Sequence, residues 1–407
     1  MNQSASTTVE ASQKAVAPLP DKWEWVKLGD VCEVVTGSTP PKANSRYYGG
    51  SIAWIKPDAL DKKMYVDSSS ESLSDEGAKI ARILPAGSVL VSCIGNIGKT
   101  AIAAEPLATN QQINSLIPSK TVDSEYLFFA CKFIGPMMRA AASVSLVPIL
   151  NKSSFSALRI PLPPLTEQKH IAAILKERMA AVRRARAAAE TQLESIKTLP
   201  TAYLRAVFNG TKVIRGQRRR LGEILLLRKE VIHPRDNPKG SAVFVGLEHI
   251  ESITGRRLDS VNLELSELTG RKPQFYKGDI VYGYLRPYLN KVWVADFDGL
   301  CSVDQYVYSV NNDKADTNFV AWFMRSPIYF ERAPIDTTPG QLPRIRTEEV
   351  ATVEIELPSV DEQRQITAEI TERMSAIHKI RQSIQEQLSS IGKLPAALLR
   401  QAFSGRL

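Results

Sequence analysis

Reactive side chains are sparse in this chain of 407 residues. Its four cysteines, Cys32, Cys93, Cys131 and Cys301, are scattered without a C-x-x-C pair. That excludes a disulfide framework and zinc-ligand spacing, and leaves small buried thiols in a reducing compartment. The four histidines, His170, His233, His249 and His378, are equally dispersed. There is no H-E-x-x-H, no G-x-S-x-G and no G-x-G-x-x-G, so the signatures of zinc proteases, serine hydrolases and dinucleotide enzymes are missing. Gly95-Asn96-Ile97-Gly98-Lys99-Thr100 imitates a phosphate loop. That motif needs four residues between its glycines, and here there are two, with Cys93 where the first glycine belongs. Thr39-Pro40-Pro41-Lys42 likewise lacks the amide or acid and the aromatic of an amino-methyltransferase loop. No apolar run reaches the roughly 20 residues of a membrane span. Residues 1–20 lack the basic start and apolar core of a signal peptide; they read as a disordered tail on a cytoplasmic protein. Catalysis, cofactor binding and metal binding by this chain alone are not expected.

What is present is a duplication. Ile160–Gly210 aligns without a gap with Ile355–Gly405, and roughly 23 of about 51 positions are identical. Both copies carry I-x-L-P, then Glu167-Gln168 or Glu362-Gln363, then Glu177-Arg178-Met179 or Glu372-Arg373-Met374. Both close on L-P-x-A-x-L-R-x-x-F-x-G. Two copies are too few for a solenoid, which buries its core by stacking neighbours. A large duplicated unit implies pseudo-twofold symmetry and suits a target that also has two halves.

Each copy contains a heptad-like seam. The first runs through Leu175, Met179, Val182, Arg186, Ala189, Leu193 and Ile196; the second through Ile370, Met374, Ile377, Arg381, Ile384, Leu388 and Ile391. Alternating steps of four and three residues mark a helix-packing seam. Two matching seams most simply pack on each other, antiparallel about the pseudo-twofold axis. Thr166 and Asp361 are placed to cap the helices, and Leu199-Pro200 and Leu394-Pro395 to end or kink them. Gly210 and Gly405 would stop a short following helix. Some 30 residues between caps and prolines span about 45 Å, on the order of 13 base pairs of duplex. The seam arginines are expected to pack their stems and send their heads to water, or else to mark register or to reach a phosphate or an acidic partner between the helices.

The blocks between the helices are mixed. Short β-like runs such as Ser88–Ser92 alternate with turn clusters such as Thr36–Pro41. The two blocks resemble each other faintly: Leu28-Gly29 answers Leu221-Gly222, and Pro148 precedes its I-x-L-P as Pro343 precedes its own. The expected fold class is α+β, with two mixed α/β domains separated and joined by two long antiparallel helices. The segments are 1–20 (tail), 21–159 (mixed), 160–212 (helical), 213–354 (mixed) and 355–407 (helical). Helices that stay alike while the mixed domains diverge suit a common mechanical role with two different reading roles.

The chain carries 52 Lys and Arg against 43 Asp and Glu, a formal charge of +9. That balance favours an anionic partner, nucleic acid first. Candidate contacts cluster in turn-like settings. In the first mixed block they are Lys42, Asn44, Arg46, Tyr47, Tyr48, Asn96 and Lys99. In the second they are Lys239, Arg256, Arg257, Tyr284, Arg286, Tyr288, Lys291, Gln341 and Arg344. Arg, Lys, Asn and Gln are the residue types that read base edges, and Lys and Arg also hold phosphates. Arg215-Gly216-Gln217-Arg218-Arg219-Arg220 is either a phosphate clamp or a solvated linker.

The paired I-x-L-P-x-x-x-E-Q-x-x-I segments resemble those of specificity subunits of Type I restriction-modification systems. So do Trp25-Val26-Lys27-Leu28-Gly29-Asp30, Thr36–Pro41 with Tyr47-Tyr48-Gly49-Gly50 and Trp54-Ile55, and Phe244-Val245-Gly246-Leu247-Glu248-His249-Ile250. The resemblance spans nearly all of Trp23–Leu407. It implies two inverted target recognition domains, each reading one half of a split asymmetric sequence in double-stranded DNA, with the helices fixing the unread gap. It also implies two methyltransferase subunits that transfer methyl from S-adenosylmethionine to adenine N6, and motor/restriction subunits that use ATP and Mg. This chain would be the non-catalytic reader. A fused methyltransferase or nuclease would need a cofactor loop or metal carboxylates; a coiled-coil adaptor without a DNA role would have neutral mixed domains.

Overall fold

The computed structural model describes residues 19–143, 146–209 and 216–407. The tail through residue 18, Gly210 and Arg215 lie outside them. Within the described part, Leu19 packs against the first core, so the tail expected over 1–20 stops short of it. The chain divides into two compact units, Met1–Ala188 with Leu388–Leu407, and Ala189–Gln387.

Unit 1 contains a sheet ordered Cys32–Thr36, Ile113–Pro118, Val89–Ser92, Thr100–Ala103, Tyr65–Val66. The first four strands are antiparallel neighbours. Both faces of Val89–Ser92 are covered, so the strand reads as a continuous apolar run. Period-two geometry sends Val89 and Val91 to the core shared with helix Ser124–Phe133, and Leu90 to the core shared with Leu84 and Leu107 of a second, smaller sheet. In that second sheet Tyr48–Ile55 runs parallel to Leu107–Thr109.

Unit 2 repeats this plan. Its main sheet is ordered Leu225–Leu227, Gln305–Val310, Ile280–Gly283, Val292–Val294. Ile280 and Tyr282 face the core of helix Thr317–Arg325, and Val281 faces Phe275, Trp293 and Cys301. Ser241–Val245 runs parallel to Gly299–Cys301, as its counterpart does in unit 1. The faint sequence likeness of the mixed blocks is therefore a shared fold. The L-G pairs show why those two positions survived. Leu28 and Leu221 are fully buried, and their N–H groups donate to Leu158 and Val353. A Cβ on Gly29 would lie 3.2 Å from Ser156, and one on Gly222 2.9 Å from Ala351.

The I-x-L-P segments open the expected helical blocks 160–212 and 355–407, but they are strands. Arg159–Leu162 pairs with Glu24–Lys27, and Glu354–Leu357 pairs with Gln217–Arg220. Ile160 and Ile355 are buried by that alternation. Gln217–Arg220 is consequently a strand, although all four of its residues are exposed. Arg218 pairs with Glu354 and Glu356, and Arg219 with Glu223.

The long helices are Leu165–Phe208 and Val360–Ala402, of 44 and 43 residues. Both run through their prolines, Pro200 and Pro395, and the expected stop there does not occur. An interior proline costs a helix one N–H donor and crowds the preceding turn. Here the turns beyond it bury Leu204 in unit 2, and Leu399, Ala402 and Phe403 in unit 1, which offsets that cost. Each unit thus takes in the beginning of one long helix and the end of the other. Ile171, Ala172 and Leu175 share the unit 1 core with Leu399, Ala402 and Phe403; Ile370 and Met374 cluster with Leu204 in unit 2. Among seam residues, Leu175, Ala189, Ile196, Ile370, Met374 and Ile384 are buried, and Met179, Val182, Leu193, Ile377, Leu388, Ile391 and Arg381 are half-buried. Only Arg186 is exposed. Ser359, not Asp361, caps the second helix: it accepts from Glu362 N–H while the Glu362 carboxylate accepts from Ser359 N–H. Thr166 lies inside the first turn of its helix. Gly405 has φ +69, the left-handed conformation expected of a helix stop.

Candidate nucleic-acid interface

In unit 1, Cys32–Thr36 and Val89–Ser92 both pair antiparallel with Ile113–Pro118. They therefore run in the same direction, and their following loops leave the sheet at one edge. Thr36 stands opposite Asn114 and Ser92 opposite Ile113. One loop carries Lys42, Asn44, Arg46, Tyr47 and Tyr48; the other, Cys93–Lys99, carries Asn96 and Lys99. Gly37 lets the first loop turn against the sheet, because a Cβ there would sit 2.1 Å from the Asn110 carbonyl. The Trp54 indole N–H then donates to the Ser38 carbonyl at 3.1 Å, and the Tyr48 hydroxyl to the Pro40 carbonyl at 2.6 Å. Asn44 caps the short turn Ser45–Tyr47 by accepting from Arg46 N–H. Tyr48 and Asn44 are thus loop supports, while Lys42 and Arg46 remain exposed.

The second loop is a hairpin tip. Ser92 Oγ donates to the Asn96 carbonyl at 2.6 Å and accepts from Lys99 N–H. A second segment is bound to it: Gly95 N–H donates to the Pro148 carbonyl and Leu150 N–H to the Cys93 carbonyl. The Asn96 side chain is exposed and that of Lys99 half-exposed.

Unit 2 makes the same construction. Its hairpin tip, Tyr284–Lys291, lies between Ile280–Gly283 and Val292–Val294. Arg286 N–H donates to the Pro343 carbonyl at 2.7 Å, and Ile345 N–H to the Tyr284 carbonyl. This brings Tyr284, Arg286, Tyr288, Gln341 and Arg344 together, and explains why Pro148 and Pro343 hold matching places. Tyr284 stacks on Tyr306 at 4.1 Å, and burial raises its hydroxyl pKa. Gln341 accepts from Arg344 at 3.0 Å. Lys239 is exposed on the excursion that follows Leu225–Leu227.

Three candidates have structural work. Lys291 donates to the Ile250 carbonyl, and burial lowers its pKa. Arg257 lies over the Phe297 ring at 5.0 Å and pairs with Asp296. Arg256 turns toward the second long helix, meeting His378 at 3.0 Å and Glu251 at 3.4 Å. Arg381, one of the two seam arginines, joins this network by donating to Glu251 at 2.6 Å. It reaches an acidic group of its own unit, which the water-seeking alternative did not anticipate.

Sequence reasoning missed Gln168 and Gln363 as a pair of clasps. Both are buried. Gln168 accepts from Asp123 N–H and donates to the Thr121 and Pro163 carbonyls; Gln363 accepts from Asp316 N–H and donates to the Pro358 carbonyl. Asp123 and Asp316 in turn cap helices Ser124–Phe133 and Thr317–Arg325. The repeated Glu-Gln was the available signal. The cysteines behave as expected: all four are buried and free, and burial pushes Cys32 and Cys301 up to about 12 and Cys93 to about 11. No helix among the described residues is long and apolar enough to cross a membrane.

Residues 20–187 match the Type I restriction modification DNA specificity domain. The MjaIX specificity subunit of Methanocaldococcus jannaschii is 33% identical over 172 residues, 41% of this chain and 40% of that protein. The EcoDI specificity subunit of Escherichia coli is 24% identical over 424 residues, covering 96% of this chain and 89% of the relative. Among solved structures, a chain from work on complex assembly and conformational transition of the type I R-M system superimposes with a TM-score of 0.74 at 19% identity, covering 96% of this chain and all of that one. The HsdS subunit of Thermoanaerobacter tengcongensis gives 0.66 at 19% identity, covering 97% of this chain and all of its own. These two share the fold. With matched loops on a duplicated scaffold, the chain carries a Type I restriction modification DNA specificity domain over residues 20–187 and is similar along nearly its whole length to a named Type I specificity subunit.

Proposed function

We propose that this chain reads a bipartite, asymmetric target in double-stranded DNA, one half with each unit, and positions two methyltransferase subunits for methylation of adenine N6. The observation that carries the reading is the pair of hairpin tips. Cys93–Lys99 and Tyr284–Lys291 hang on the same strands, each bound to a proline carbonyl, yet present different side chains. A shared scaffold with unlike reading loops suits two unlike half-sites. Exposed Lys42, Arg46 and Lys239 would hold phosphates, and the tips would meet base edges. In this reading the chain does no chemistry. S-adenosylmethionine belongs to the methyltransferase partner, ATP and Mg to the motor and restriction subunits, and the assembly works in the cytoplasm. A coiled-coil adaptor without a DNA role would leave the two basic loop sets without a purpose.

The test is binding of the full chain to randomised duplex DNA over a series of salt concentrations. Enrichment of a two-part motif, with affinity falling steeply as salt rises, is expected. Binding without sequence enrichment, or none at low salt, contradicts the reading.

A further inference from the structure

The hairpin tips contain matching left-handed positions filled by different residues. Ser92 N–H donates to the Lys99 carbonyl and Gly283 N–H to the Lys291 carbonyl, which aligns the two loops. The Pro148 and Pro343 contacts then place Gly95 opposite Arg286, and Gly98 falls opposite Asn290. Gly95 has φ +72 and Gly98 φ +92; Arg286 and Asn290 both have φ +52. Unit 1 meets both demands with glycine, which adopts this conformation freely. Unit 2 does not. Asn290 is a tolerated substitute and has an internal reason to be there: its Nδ2 donates to the Arg325 carbonyl at 2.7 Å, tying the loop to helix Thr317–Arg325.

Arg286 has no such reason. A left-handed arginine is strained, and the following Pro287 restricts it further. Its side chain is exposed, and among the described residues no acidic side chain pairs with it. Ile253, another strained residue with φ +70, packs its side chain against the cluster of Leu204, Ile370 and Met374. Arg286 packs on nothing comparable. Only its backbone is used: its carbonyl accepts from Leu289 N–H, and its N–H makes the bond to Pro343 that glycine makes equally well to Pro148 in unit 1. Strain kept without an internal return marks a side chain needed by something outside the fold.

Resting on the DNA-reading function proposed above, we propose that Arg286 is a specificity-determining residue of unit 2 that reads a guanine in the half-site of that unit. A guanidinium at the tip of a fixed hairpin suits the paired O6 and N7 acceptors of guanine. The anchoring at Pro343 on one side and Asn290 on the other holds the tip at a defined place on the scaffold.

Arg286→Gly separates this role from a structural one, because it restores the residue type unit 1 uses. The variant and the unaltered full chain are each incubated with randomised duplex DNA, the bound fraction is sequenced, and both proteins are melted. The expected result is a melting temperature unchanged or raised by up to about 2 °C. Preference for guanine at one position of one half-site falls on the order of 10- to 100-fold, with the other half-site unchanged. Arg286→Lys keeps the charge but loses the paired donors, and is expected to lose most of the same preference. The proposal is overturned by an unaltered motif, by a uniform loss of affinity across all sequences (a phosphate contact), or by a marked fall in melting temperature. If the unaltered chain itself enriches no motif, the failure lies with the DNA-reading function and is recognisable as such.

Discussion

The backbone N–H of Asp123 donates to Oε1 of Gln168 at 2.9 Å, and the same bond joins Asp316 to Gln363 at 2.8 Å. Each glutamine is buried, and each aspartate caps the helix that packs on its sheet. One amide therefore fixes the first turn of a long helix to the core of its own unit, in both copies. This is the mechanical meaning of the duplicated Glu-Gln.

Gln168→Ala leaves the Asp123 N–H and the Pro163 carbonyl without their partner, a loss of about 2 kcal/mol. The expected outcome in calorimetry of the full chain is a fall of about 4–8 °C in the affected transition. Gln363→Ala has the same effect through Asp316 and Pro358. An unchanged melting profile for both would refute the clasp.

Arg381→Leu removes the 2.6 Å bond to Glu251, whose side chain is only 17% exposed. Burial raises the Glu251 pKa, but bonds from Arg381 and Thr254 and the charges of Arg381 and Arg256 outweigh it, so the net shift is downward. A carboxylate lowered on folding stabilises above its unfolded pKa, and that contribution disappears as pH falls through the folded value. The Arg381→Leu defect, about 1–2 kcal/mol at neutral pH, is expected to shrink in acid, below the ordinary carboxylate range. A defect of constant size down to strongly acidic pH would contradict the ion pair.

Pro200→Ala restores a backbone N–H inside a continuous helix. It is expected to raise the melting temperature by a few degrees, since proline disfavours a helix interior by about 3 kcal/mol and part of that is regained. Destabilisation would show that the proline shapes the helix in a way the neighbouring turns depend on.

Exchanging Asn96 and Lys99 for alanine alters only the tip in unit 1. The expected outcome is changed preference in one half-site with the other intact, read by sequencing bound DNA from a random pool. Equal change in both halves would contradict one-unit, one-half reading.

The sequence revealed the architecture where both copies kept the same residues for the same reason. Leu28-Gly29 and Leu221-Gly222 survive because a buried leucine and a closely packed small residue are needed at each site. The matching strand order was not legible, since apolar alternation tolerates many residue choices. Pro200 and Pro395 do not end their helices, because local propensity yields to the burial of Leu204, Leu399 and Phe403 beyond them. In the candidate interface, residue type could not separate exposed Lys42 and Arg46 from Tyr48, Lys291 and Arg256, which are held by Pro40, Ile250 and Glu251. The left-handed backbone of Arg286 leaves no mark in sequence, because arginine is not a residue chosen for that conformation.

Single-molecule methylome sequencing of the host, with and without the chain, tests most directly the proposal that this chain sets which DNA sequence is methylated. Loss of N6-methyladenine at one two-part motif is the predicted result, and restoration with Arg286→Gly would relax that motif in one half only. An unchanged methylome, with the methyltransferase partners present and active, would contradict the account.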